Sequence, residues 1–115
     1  MPDARLTYHL TPLDWWEASD PAAALGSPSL ESEGFIHCTD GAEAMVATAN
    51  RHYRSDPRSF VVLTLDLARV GSPWSVEDPG GVYPHVFGPI DRDAIVSAEP
   101  MPRADDGTFL PFATP

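Results

Sequence analysis

At 115 residues and 43% hydrophobic content, the chain has the length and apolar fraction of one globular domain with its own core, which excludes wholesale disorder. Seven basic against seventeen acidic residues give a formal net charge of −10, and every cation is an arginine. Such a balance repels phosphate backbones and acidic membranes, so it argues against general nucleic-acid binding.

Residues 5–11 alternate and predict a strand. Thr11-Pro12-Leu13-Asp14 then reads as a helix start, with Thr11 as N-cap, Pro12 at the first helical position and Asp14 in a capping-box place. Ser19-Asp20-Pro21 stops that short helix, leaving one of Trp15 and Trp16 in the core and the other partly exposed. Residues 19–33 are rich in Pro, Ala, Ser and Gly and read as a loop, with room for one helical turn at Ser29-Leu30-Glu31. Gly34 opens a second strand through Thr39, and Asp40 with Glu43 marks a further helix start. Ala42, Met45, Val46, Ala49 and Tyr53 recur at helical spacing, which predicts a helix over about 41–54.

Phe60 through Leu67 is the strongest strand, and its continuous apolar start argues for a central position. Trp74–Glu77 and Val82–Phe87 flank Asp78-Pro79-Gly80-Gly81 as a hairpin, in which Pro84 implies an edge or a bulge. Ile95 to Met101 is the last strand. The core spans about residues 5–101, and 102–115 form a Pro-rich tail expected to be mobile. The elements predict a single α+β domain, a mainly antiparallel twisted sheet with two helices packed on it.

Three of the four histidines lie inside these strands. Side chains alternate across a strand, so His9 shares a face with Thr7 and Thr11, His37 with Phe35 and Thr39, and His85 with Tyr83 and Phe87. The opposite faces, Leu6, Tyr8 and Leu10, then Ile36 and Cys38, then Val82 and Val86, read as core. Convergence of the three histidine faces makes a pocket of imidazoles, hydroxyls and aromatic walls suited to a small-molecule or nucleotide ligand. His52 lies off the apolar stripe of the long helix and reads as a solvated surface residue.

Three histidines also match the ligand count of a catalytic metal site, although no His-x-His or His-x3-His pair is present and no metal ligand is assigned. Cys38 beside His37 faces the core and reads as a buried hydrophobe rather than a nucleophile. A lone cysteine fits a reducing compartment. The start Met1-Pro2-Asp3-Ala4-Arg5 has no leader pattern, and no apolar run approaches the roughly 20 residues that cross a bilayer. The expectation is a cytoplasmic protein without membrane association, and nothing in the sequence names a protein partner.

Tyr8-His9-Leu10, Glu33-Gly34-Phe35-Ile36-His37-Cys38-Thr39 and Tyr83-Pro84-His85-Val86-Phe87-Gly88-Pro89 together resemble a small bacterial family, domain of unknown function 952, over about residues 6–101. The order of elements is also similar to the NAD-binding half of RNA 2′-phosphotransferases, in the ADP-ribosyltransferase superfamily. That resemblance implies an ADP-ribosyltransferase-like fold with NAD as cofactor or substrate, and a transferase activity. It implies catalytic positions at His9, His37 and His85, with NAD contacts from Tyr8, His9, Phe35, His37, Thr39, Tyr83 and His85. The superfamily often carries a glutamate at the third position. Here His85 is the nearest candidate, and Glu77 serves only if the hairpin register turns it inward. Beside this reading stand a non-catalytic nucleotide-binding module and a three-histidine metal enzyme.

Overall fold

The structure is a computed structural model that describes residues 3–114. Two three-stranded antiparallel sheets organise it. The first has the order β1-β3-β6, from Leu6–Pro12, Phe60–Asp66 and Ile95–Pro100. The second has the order β2-β5-β4, from Ile36–His37, Pro84–Val86 and Trp74–Val76. Three helices accompany them: α1 (Leu13–Ala18), α2 (Pro28–Glu33) and α3 (Ala42–Tyr53). The predicted single sheet with two helices is thus two sheets and three helices, because the short histidine strands pair with the hairpin instead of with β1 and β3.

β3 is buried along its whole length, as its near-continuous apolar run requires of a central strand. Its Val61, Leu63 and Leu65 face the second sheet and pack with Ile36, Cys38 and Val86. Its Phe60 and Val62 face the other way and pack with Met45 and Ala49 of α3. Register places Thr7, His9 and Thr11 opposite Leu65, Leu63 and Val61, so these polar side chains enter the layer between the sheets. Tyr8 lies on the other side, edge-on to Phe112 at 5.1 Å between ring centroids.

The two sheets meet where Tyr8 and Thr39 exchange backbone hydrogen bonds of 3.0 and 2.8 Å. That junction sets where His9 and His37 stand relative to each other.

Four local expectations are corrected. Thr11 does not cap α1: β1 runs on through Pro12, and the Thr11 hydroxyl is buried without a partner. Asp40 does not cap α3, since the Arg5 guanidinium holds both its carboxylate oxygens at 3.0 and 2.7 Å. Pro84 sits in the central strand of its sheet, and the sheet tolerates it because Pro84 is the first residue of β5.

The fourth correction is the tail. Phe109 and Phe112 are buried with Met101 against α3 and β3, so the 102–115 segment, expected to be mobile, helps close the second core. Asn50 brackets Phe109 by accepting from its N–H at 2.7 Å and donating to its carbonyl at 3.1 Å. The Arg103 guanidinium donates to the carbonyls of Tyr53, Arg54, Asp56, Arg58 and Gly107. Apolar residues spaced widely among prolines carry no periodicity, which is why the sequence pattern conceals this packing.

Candidate functional site

A cleft of about 710 Å³ opens between α2 and α3 and runs down to β1. His9 and Thr11 of β1, His37, Cys38 and Thr39 at the exit of β2, and Tyr83 before β5 all line it. Ser29 and Glu33 of α2 form one bank, and Met45, Thr48, Arg51 and His52 of α3 form the other. The volume lies in the range of small-molecule sites.

His9 is the chemically distinctive group of this cleft. It is only 6% exposed, and its Nδ1 is 2.7 Å from the backbone carbonyl oxygen of His37. A carbonyl only accepts, so Nδ1 carries the proton and donates it. Burial depresses the ring pKa to about 4, with that hydrogen bond opposing the shift, so the ring is neutral near pH 7. Nε2 is then a bare lone pair, and it has no hydrogen-bond partner. The Thr11 hydroxyl, 1% exposed, is likewise unpartnered in the same cleft. Buried polar atoms are rarely left unsatisfied, because each forfeits its hydration.

His37 stands at the mouth, where its Nε2 is 2.9 Å from a Glu33 carboxylate oxygen and both side chains are half exposed. Gly34, at φ 86°, ends α2 in the left-handed conformation and folds the chain back so that these side chains meet. His37 therefore serves twice, its carbonyl orienting His9 and its ring engaging Glu33, the one carboxylate that lines the cleft among the described residues.

The three histidine faces converge only in part. His9, His37, Thr39 and Tyr83 share the cleft, whereas Tyr8 is turned into the second core. Phe35 and His85 stack on each other outside it, with ring centroids 4.1 Å apart and planes 14° from parallel. Phe87 completes that outer aromatic group. The cause is the register, which sets His37 opposite His85 on the outer face of the second sheet. There the His37 ring stays 4.6 Å from Phe35 and 6.0 Å from His85 between ring centroids, while its Nε2 reaches Glu33 of α2.

The three imidazoles accordingly do not surround a common point. Among the described residues no three His, Cys, Asp or Glu side chains are grouped to hold a metal ion, so the three-histidine metal geometry is not formed. Glu77 is exposed and does not line the cleft, so the hairpin register leaves it outside. Cys38 is buried and its thiol pKa is pushed up to about 12, first by desolvation and then by Asp40, which suits a packed thiol rather than a nucleophile. His52, read as a solvated surface residue, is exposed as expected and also lines the cleft.

Sequence reasoning missed Glu33, Thr48, Arg51 and His52. The available signal was the Met45, Thr48, His52 row on one side of α3; no helical spacing pairs Glu33 with His37, because Gly34 ends α2 between them.

Among the described residues, no helix is long and apolar enough to cross a membrane. The sequence pattern of the family described as protein of unknown function (DUF952) matches residues 10–98. The crystal structure of protein CC0527 from Caulobacter crescentus is similar at TM-score 0.74 and 22% identity, over 92% of this chain and 94% of that one. Its solution NMR structure gives TM-score 0.68 and 24% identity, over 89% of each chain. At that identity the likeness is one of fold. No curated protein matches the chain.

Proposed function

The chain belongs to the DUF952 family, and for this member we propose that the cleft binds NAD or an ADP-ribose-containing metabolite and catalyses ADP-ribosyl transfer or hydrolysis at the nicotinamide ribose. The observation that carries this reading is the buried, unpartnered Nε2 of a neutral His9, a residue that lines a cleft of about 710 Å³. What that atom lacks is a donor, and a ribose hydroxyl or a carboxamide N–H supplies one. Thr11 beside it offers a hydroxyl to the same ligand. What supports an ADP-ribosyltransferase-like arrangement is the order of a Tyr-His strand, two short helices, a short strand ending at His37, a longer helix, a long apolar strand and a hairpin.

NAD held there supplies a nicotinamide leaving group whose departure develops positive charge on the ribose. His9 accepts from the ribose hydroxyl and fixes the sugar through an atom that is already desolvated, so little reorganisation is needed as charge grows. Burial of His9 and Thr11 in the layer between the sheets, beside Cys38, keeps water from that end of the cleft. Glu33 takes the place expected of Glu77, and its contact with His37 Nε2 lets the imidazole hold the proton released by an incoming hydroxyl.

A non-catalytic binding module is the second reading. It is favoured by the position of Glu33 at the exposed mouth and by the exclusion of Glu77 and His85 from the cleft. One experiment separates the readings: NMR titration of the histidine rings with NAD while free nicotinamide is followed. Shifts at His9, His37 and His52 without a shift at His85, together with growing nicotinamide, are expected. Shifts without nicotinamide select the binding module, and no shift at millimolar NAD overturns both.

A further inference from the structure

Six of the seven arginines are engaged. Arg5, Arg54, Arg58 and Arg69 face Asp40, Asp106, Asp56 and Asp66. Arg92 donates to the Ala23 carbonyl and lies over the Trp16 ring, and Arg103 binds its group of carbonyls. Arg51 is different. Among the described residues it has no carboxylate or carbonyl partner, and its one contact is a long 3.5 Å approach to the Tyr83 hydroxyl. In a chain of net charge −10, a guanidinium left without an acid is unusual, and this one lines the cleft.

Its surroundings are donors. The Tyr83 phenol sits below its ordinary pKa, first because of Arg51 and then because of the nearby Thr48 hydroxyl. Thr48 Oγ1 is shut off from solvent without a well-formed hydrogen bond, and His52 follows on the same bank. Arg58 adds a second cation, although Asp56 at 2.8 Å offsets it. Glu33, the cleft's carboxylate, lies on the opposite bank.

We infer that Arg51, Thr48 and Tyr83 form a phosphoryl-binding subsite on the α3 bank, which takes the diphosphate of a nucleotide whose sugar reaches His9. A tetrahedral phosphate offers several acceptor oxygens to a guanidinium fork and two hydroxyls at once, which a single carboxylate does not. The inference deepens the proposed function and rests on it for the identity of the ligand, but the subsite itself binds phosphate regardless of what the His9 end takes.

The test uses inorganic pyrophosphate, titrated calorimetrically into the full chain at low and raised ionic strength, alongside ADP-ribose. Arg51→Gln is expected to weaken pyrophosphate binding by about tenfold or more, the scale of one charge-assisted contact. Arg51→Lys retains a part of it. Arg69→Gln removes the same net charge away from the cleft and leaves binding unchanged. Absence of pyrophosphate binding to the wild type, or equal weakening by Arg51→Gln and Arg69→Gln, overturns the subsite. Arg51-dependent pyrophosphate binding without any response to NAD or ADP-ribose sustains the subsite and removes the NAD reading.

Discussion

Replacing His9 by asparagine tests the neutral, buried imidazole directly. The asparagine amide keeps a donor near the position of Nδ1 for the His37 carbonyl but cannot titrate, so only the pH-dependent part of stability should change. The folded ring has a pKa of about 4, against an ordinary value of 6.5. Between those values the unfolded chain binds more protons than the folded one, so stability rises with pH through this window and falls as pH drops through it. The gap of about 2.5 units corresponds to about 3 kcal/mol once pH lies below both values. Between about pH 7.5 and about pH 5 the same relation gives about 2 kcal/mol from this ring alone.

Urea unfolding of wild type and His9→Asn at the two pH values measures it. The wild type should lose about 2 kcal/mol more than the variant over that interval, with titrations elsewhere cancelling in the difference. Parallel losses in the two proteins would refute the reasoning, because a ring that titrates alike in both states is not buried and neutral. A direct companion is the His9 ring titration by NMR, expected near pH 4 with the proton on Nδ1.

Thr7→Val should raise stability by about 1 kcal/mol in thermal or urea unfolding, because the fully buried Thr7 hydroxyl has no partner and does not line the cleft. Ligand binding should be unaffected by that change, whereas Thr11→Val should weaken it. Gly34→Ala should cost about 1–2 kcal/mol by conformation alone, since φ is 86° and the added methyl meets nothing within 4 Å. Phe109→Ala should cost about 3–5 kcal/mol in urea unfolding; a loss near zero would show that the tail does not close the second core.

Period-2 and period-3.6 patterns, which need only neighbours in the chain, determined much of this protein. Phe60–Leu67 is legible as a central strand because its apolar residues leave no face for solvent, and the long helix follows from Met45, Val46 and Ala49. The His9 face with Thr7 and Thr11 is likewise fixed by strand alternation. The local signals at Thr11 and Asp40 were overridden when β1 continued through Pro12 and when Arg5, thirty-five positions away, took the Asp40 carboxylate. Tertiary structure alone decided which histidines share a cleft. Strand alternation places a side chain on a face, but only pairing and register decide what that face meets. The His37–His85 register sent His85 outward to Phe35, while the Tyr8–Thr39 bridge brought the His37 carbonyl to His9. The neutral, unpartnered Nε2 exists only because residues 9 and 37 meet in a desolvated layer, a property that neither segment carries by itself.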